Sequence, residues 1–171
     1  EKTEQLTKKE YKNNKKVMHI ILDHLRASCF LINDGIIPSK MERGYVLRRL
    51  IRRLIKYGNQ LGIQREGFAV LIENMGKIYR ELDISKIKRI FDEEYSKFIK
   101  ALRNGEVIFQ NEIKELQKIN AKEIPGEIVF KLYDTYGFPV ELTQEMAIEH
   151  GLKLDMRGYE ISFLKHKEIS R

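Results

Sequence analysis

Residues 43–58 read RGYVLRRLIRRLIKYG, and this stretch carries the clearest periodic signal in the chain. At about 100° per residue, its apolar side chains fall on one side of a helix. They are Val46, Leu47, Leu50, Ile51, Leu54 and Tyr57. Gly62 follows at the position where a helix commonly ends. The pattern predicts a helix over residues 43–61 with one side packed into a core.

The opposite side of this helix is basic. It carries Arg48, Arg49, Arg52, Arg53 and Lys56, and no acidic residue lies between Arg43 and Gly58. Neighbouring cations on a helix repel one another. A row of phosphates would relieve that repulsion, because guanidinium groups match phosphate oxygens. The basic side therefore indicates nucleic acid as a partner. Two other interpretations stay open: a solvated face, and cations paired with carboxylates elsewhere in the fold.

Helical periodicity also dominates outside this stretch, with glycine and proline between the periodic segments. Thr7 and Glu10 have the spacing of a capping box for a first helix that ends at Asn33. Another helix begins at Ser85, and Gly105 is expected to mark a break in it. Further helices are predicted over residues 66–82, 125–137, 140–150 and 155–170. No run of residues alternates convincingly, so strands are not expected, and the chain is predicted to be all-α, a compact array of about six or seven helices.

Composition narrows the function classes. The chain has 171 residues, which suit one ordinary domain or two small subdomains sharing a core. Cys29 is the only cysteine, which excludes an internal disulfide and a cysteine-rich zinc site. No apolar run approaches the roughly 18 residues of a membrane helix. The net charge of +7 makes a polyanion the first partner to consider. No catalytic residue is recognisable, because the chain has no glycine-rich phosphate loop, metal-ligand spacing or paired-carboxylate motif.

The first 16 residues form a lysine-rich segment of their own. KKEYKNNKK, residues 8–16, contains five lysines. We therefore divide the chain into a lysine-rich N-terminal extension of the first helix, residues 1–16, and a helical domain, residues 17–171.

A second informative stretch is KLYDTYGFPVELT, residues 131–143. Asp134 is predicted in the last turn of a helix, where a negative charge opposes the helix dipole. A carboxylate flanked by Tyr133, Tyr136 and Phe138 can accept hydrogen bonds from the amino groups of bases. The alternative is that Asp134 bonds an arginine or caps a neighbouring helix while the aromatic residues belong to the core.

Two stretches together resemble alanyl-tRNA synthetases. DHLRASCFLINDGIIPSKMERGYVLRRLIRRLIKYGNQLG, residues 23–62, resembles the segment that follows the class II aminoacylation core. LYDTYGFPVELT, residues 132–143, resembles a second signature of the same region, at the expected distance downstream. The resemblance extends more loosely from residue 17 to the end, and RGYVLRR and IRR are of the bacterial and eukaryotic type.

The resemblance implies a helical tRNA-recognition domain, with the fold called anticodon-binding-domain-like, that reads a G·U wobble at the third base pair of the acceptor stem. In the family, an Asn before RGYVLRR and the Asp of YDTYGFP approach that pair from its two grooves. The Asp corresponds to Asp134, and the Asn position is Lys40 in this chain. Lysine only donates hydrogen bonds, whereas asparagine donates and accepts. Lys40 is therefore expected to contact a base acceptor, a ribose or a phosphate.

For a domain of this kind, the cations in and around the basic helix are predicted to contact the tRNA backbone. These are Arg43, Arg48, Arg49, Arg52, Arg53 and Lys56. Positioning the acceptor stem would serve an enzyme that attaches alanine to tRNA(Ala) using ATP. ATP and Mg²⁺ are expected in a catalytic domain upstream and Zn²⁺ in an editing domain downstream, with no cofactor in this chain itself.

The expected partners are the tRNA(Ala) acceptor stem and the neighbouring catalytic and editing domains, with no membrane and no DNA, in the cytoplasm. Two other functions stay open. The helices could serve as a structural spacer between catalytic and editing domains, or the chain could be an RNA-binding paralogue without aminoacylation.

Overall fold

The computed structural model describes residues 2–169, and its secondary structure confirms the all-α expectation. The elements in chain order are helices α1 Lys2–Thr7, α2 Tyr11–Asn33, α3 Glu42–Gln60, α4 Arg65–Ile78 and α5 Ile84–Lys118, strand β1 Glu123–Ile124, helices α6 Gly126–Asp134 and α7 Val140–Glu149, strand β2 Lys153–Leu154 and helix α8 Met156–Ile169. The last helix was predicted to reach Ser170, which lies outside the described residues. Among the described helices, none is long and apolar enough to cross a bilayer.

The described residues group into two compact units that divide after Lys97. Helices α1 to α4 belong to the first unit, and α6 to α8 with both strands belong to the second. Helix α5 contributes its first part to one unit and its last part to the other. The predicted boundary at residue 16 stays a prediction.

The core of the first unit is built on α2, which packs along α3 and also contacts α4. Buried side chains recur on α2 every three or four residues, as an amphipathic helix requires. They are Met18, Ile21, Leu25, Cys29 and Ile32. Burial raises the pKa of the Cys29 thiol to about 12, so this cysteine acts as a small apolar core residue.

The capping box predicted at Thr7 is wrong. Thr7 is the last residue of α1, and its hydroxyl donates to the carbonyl of Thr3 at 2.8 Å. A short connection separates α1 from α2, and Lys8 in it has a φ of 54°. The N–H of Tyr11 donates to Glu4 Oε1 at 2.7 Å, and this hydrogen bond lowers the pKa of Glu4. A carboxylate from the preceding helix therefore satisfies the backbone donor of Tyr11, the first residue of α2.

Two short strands, which the sequence did not predict, lie in the second unit. Strands β1 and β2 pair in parallel, with Glu123 opposite Lys153 and Ile124 opposite Leu154. Each strand leads into a helix, α6 after β1 and α8 after β2. Because the two strands are parallel, the helices that follow them start at the same edge.

Helices α6 and α8 meet closely at their first turns. A Cβ on Gly126 would lie 2.1 Å from the backbone nitrogen of Tyr159, so only glycine fits there. The carboxylate of Asp155 accepts the N–H of Gly158 at 2.8 Å and lies 3.4 Å from the N–H of Gly126. One acidic side chain therefore serves the positive ends of both helices, where a negative charge is favourable.

The break predicted at Gly105 is also wrong, because α5 runs continuously from Ile84 to Lys118. A Cβ on Gly105 would lie 2.3 Å from Cε2 of Phe138. Phe138 is fully buried, and its ring also contacts Phe98. Glycine is present because an aromatic ring packs on the helix backbone, and this contact anchors the turn after α6.

Replacing Gly126 by alanine tests the close contact between α6 and α8. Gly126→Ala is expected to lower the free energy of unfolding by about 1–3 kcal/mol, because the new methyl group meets backbone atoms that cannot rotate away. Glu127→Ala, at the exposed next position, should change it by no more than about 0.5 kcal/mol. Urea unfolding followed by circular dichroism measures both, and equal stability of the two variants would contradict the contact.

Candidate nucleic-acid interface

Arg52 lies inside the first unit, away from solvent. It is 4% exposed, and its Nε donates a hydrogen bond to Glu94 Oε1 at 2.5 Å. Arg48 Nε lies 3.6 Å from the same oxygen. Burial lowers the pKa of the Arg52 guanidinium, and the charge of Glu94 opposes that shift. Arg48 and Arg52 are therefore not unneutralised cations. They are paired with a carboxylate from elsewhere in the fold, which is one of the two alternatives left open by the sequence.

The other cations on this side of α3 also have contacts within the chain. Arg53 donates through Nη1 to His24 Nε2 at 3.0 Å. Lys56 is 9% exposed, and its Nζ lies 4.7 Å from the centre of the Tyr57 ring. Arg49 is half-buried and has contacts of its own. These contacts arise because the second half of α3 is buried on more than one side. The assignment of these cations to a tRNA backbone stays a prediction.

Lys40 and Arg43 lie at the N-terminal end of α3, and both are exposed. The N–H of Ser39 donates to the carbonyl of Gly44 at 3.0 Å, so the loop folds back onto the first turn of the helix. Glu42, in the same turn, has a φ of 49°, a region that favours glycine. Within the part of the chain that the structure describes, neither Lys40 nor Arg43 forms an ion pair. Their charges add to the positive end of the helix, where anions bind favourably.

Asp134 is the last residue of α6, in the second unit. The chain turns directly after it, since Gly137 has a φ of 65° and the N–H of Phe138 donates to the carbonyl of Leu132 at 2.9 Å. The side chain of Asp134 is 32% exposed, and its Oδ2 lies 3.9 Å from Nε2 of His166. The carboxylate therefore lies at the surface directly before a hydrogen-bonded turn and faces a histidine.

An aromatic cluster lies beside Asp134 between α6 and α8. It consists of Phe130, Tyr133, Tyr159 and Phe163, whose ring centres lie 5.9–6.4 Å apart in the contacting pairs. The ring of His166 joins it at 5.4 Å from Phe130. Phe163 remains partly exposed. The carboxylate thus lies at the end of a partly exposed aromatic surface.

Comparison with known proteins decides the family. The family model described as tRNA synthetases class II (A) matches residues 1–171 of this chain. The chain belongs to this family. The resemblance to alanyl-tRNA synthetases that the two sequence stretches indicated is thereby confirmed.

Individual alanine–tRNA ligases are similar to this class II synthetase chain over nearly its whole length. The ligase of Borrelia hermsii is 43% identical over 182 residues, covering 100% of the chain and 30% of that protein. The ligase of Saccharophagus degradans is 43% identical over 173 residues, covering 98% of the chain and 19% of that protein. The ligase of Borreliella afzelii is 46% identical over 162 residues, covering 90% of the chain and 27% of that protein. The chain therefore spans less than a third of the length of these relatives.

In this class II synthetase chain, the two predicted base-recognition residues belong to different units. Lys40 lies in the first and Asp134 in the second. Glu94, His24 and His166 were not predicted as neighbours of the site residues, because each contact joins positions far apart in sequence. The lack of acidic residues between Arg43 and Gly58 was the available signal, since buried cations need a counter-charge from elsewhere. Among the described side chains, no three His, Cys, Asp or Glu residues are grouped closely enough to hold a metal ion.

The Arg52–Glu94 pair predicts a large difference between two adjacent acidic residues of α5. Glu94→Ala is expected to lower the free energy of unfolding by about 3–5 kcal/mol, because it leaves a buried guanidinium without its partner. Glu93→Ala removes an exposed pair with Arg89 at 3.1 Å and should cost no more than about 1 kcal/mol. Urea unfolding of both variants is the measurement, and a Glu94→Ala cost no larger than that of Glu93→Ala would show that the buried pair is not structural.

Proposed function

We propose that this chain binds and positions the acceptor stem of tRNA(Ala) for an alanine–tRNA ligase, which attaches alanine to the tRNA using ATP. The observation that carries the proposal is the position of Asp134 at the surface, directly before a hydrogen-bonded turn, in the stretch that resembles the family signature. Phosphate contacts would hold the stem in place, and base contacts would identify it.

The proposal divides the predicted residues into two groups. Asp134 accepts a hydrogen bond from a base amino group of the wobble pair, and Lys40 donates to an acceptor of the same pair. Arg43, beside the N-terminus of α3, contacts the phosphate backbone. Lys40 and Arg43 are exposed and Asp134 is partly exposed, which supports this division. The burial of Arg52 and Lys56 favours a role for those two in holding α3.

The remaining parts of the activity would belong to other regions of such an enzyme. ATP and Mg²⁺ would bind a catalytic domain, and Zn²⁺ an editing domain, both in contact with this chain. A cytoplasmic location would follow from the enzyme's role in protein synthesis.

The first test removes the proposed base contact of Asp134. Asp134→Asn should remove most of the preference for a stem hairpin with the G·U pair over one with G·C, because the amide replaces one carboxylate oxygen by a donor. A base contact of this kind contributes about 1–3 kcal/mol of discrimination. Lys40→Ala should lower the same preference. Fluorescence titration of the chain with both hairpins measures the ratio, and an equal loss of affinity for both hairpins would contradict base reading by Asp134.

The loss of a phosphate contact should have a different signature. Arg43→Ala is expected to weaken both hairpins by the same factor and to reduce the slope of log affinity against log salt by about 0.7–0.9, the value of one phosphate contact. Titrations at about 50 mM and about 200 mM salt measure the slope. Lys77→Ala, another exposed cation of the first unit, is the matched control. An unchanged slope for Arg43→Ala would remove Arg43 from the interface.

A structural spacer between catalytic and editing domains is the second candidate function. The engagement of Arg48, Arg52 and Arg53 by groups of the same unit favours it, because those cations then serve the fold. The same titration separates the two functions, since a spacer would bind neither hairpin at the lower salt concentration.

A further inference from the structure

Helices α6 and α8 bring their C-terminal ends to the same place. Gly126 contacts Gly158 and Tyr159 near the two helix starts, Phe130 contacts Phe163 further along, and Asp134 contacts His166 near the two ends. Contacts in this order mean that the helices run parallel. A helix C-terminal end carries a partial negative charge of about one half, so the Asp134 carboxylate, on the last residue of α6, lies where such a charge adds to its own.

The group that faces this carboxylate is His166. Its Nε2 lies 3.9 Å from Asp134 Oδ2, which is an ion-pair distance and about 1 Å longer than a hydrogen bond. The imidazole ring packs at 5.4 Å from Phe130, and Phe130 is in turn held by Tyr159 and Phe163. The aromatic cluster thus sets the position of His166 independently of Asp134.

The pair is open to solvent on one side. His166 is 50% exposed and Asp134 is 32% exposed. Both groups can therefore meet a ligand while remaining neighbours. A carboxylate has two oxygens, so a donor that occupies one of them leaves the other for a second donor.

We propose that His166 is a positioning residue for base recognition by Asp134. When the stem binds, the N–H of His166 closes the 3.9 Å gap to one carboxylate oxygen, and the other oxygen accepts the amino group of a guanine in the stem. This role rests on the proposed function, because it assigns to His166 the orientation of the residue that reads the base. It also explains why a carboxylate is tolerated at the C-terminal end of α6.

A purely structural role for His166 predicts different effects of substitution from a positioning role. If the ring only packs on Phe130, an aromatic replacement preserves the function and loss of the ring destroys it. If the N–H orients Asp134, an aromatic replacement without a donor lowers the function, and a non-aromatic replacement with a donor preserves it. His166→Phe keeps the ring and removes the donor. His166→Gln removes the ring and keeps an N–H donor, because the glutamine amide nitrogen is as many bonds from the backbone as Nε2.

The experiment is a titration of the 171-residue chain with the G·U and G·C hairpins, and the readout is the ratio of the two affinities. His166→Gln is expected to keep the wild-type ratio. His166→Phe should lower it roughly two- to fivefold, the range of a partly exposed charged pair. In the Asp134→Asn background, His166→Phe should lower it no further, because coupled residues are not additive.

His150 provides the matched control on the same unit. It is also exposed. Its ring centre lies 5.9 Å from that of Phe109, and its Nε2 lies 3.5 Å from Nε2 of Gln110. His150→Phe should leave the ratio unchanged. Thermal unfolding checks each variant, and His166→Leu replaces His166→Phe in the cycle if the latter does not fold.

Three outcomes would overturn the proposal. A ratio kept by His166→Phe and lost by His166→Gln would mean that the ring matters only for packing. A further fall in the double variant would mean that His166 acts independently of Asp134. A wild-type chain that binds both hairpins equally would refute base reading itself, and the role of His166 with it. In the first two cases the wild-type preference persists, so the proposed function survives the failure of this inference.

Discussion

A charge buried in a protein interior has to be paired, and Glu94 meets that requirement in the first unit. Its carboxylate holds Arg52 and lies near Arg48, one helical turn away on the same side of α3. Removing both groups from water has a large cost, which the close hydrogen bond offsets only in one geometry. The pair therefore fixes how α3 is rotated, with Leu47, Ile51 and Leu54 directed into the apolar core. That rotation leaves Lys40 and Arg43 exposed at the N-terminal end of the helix.

A close backbone contact has the corresponding role in the second unit. Gly126 and Gly158 allow the first turns of α6 and α8 to touch, and the Asp155 carboxylate serves the starts of both helices. The parallel arrangement then places Asp134, at the end of α6, beside His166 of α8. The acidic residue that the family signature marks is thus presented by the packing of two helices, and the turn anchored by Phe138 keeps it in place.

Local sequence signals predicted most of the helices correctly. Helix α3 was expected over residues 43–61 and is found over Glu42–Gln60, and Gly62 has the φ of 86° that its place after the helix requires. The errors came from contacts between distant residues. Gly105 predicts a break because a glycine weakens an isolated helix, yet here it accommodates the ring of Phe138. The spacing of Thr7 and Glu10 predicts a cap, yet Thr7 ends α1, and Glu4 accepts the N–H of Tyr11 at the start of α2. The two short strands exist only as a pair, so neither could be found alone.

The sequence by itself determined the helical class, the turn after Asp134 and the family, because periodicity, glycine positions and motifs are properties of short stretches. The tertiary structure decided which cations are used inside the fold and which are exposed. From the sequence alone, both Arg52 and Arg43 are candidate ligands for phosphate. Only the position of Glu94, 42 residues further along the chain, makes the first a buried ion pair. The same holds for His166, whose proximity to Asp134 follows from parallel helix packing. Burial and pairing depend on two surfaces that meet, and one stretch of sequence contains only one of them.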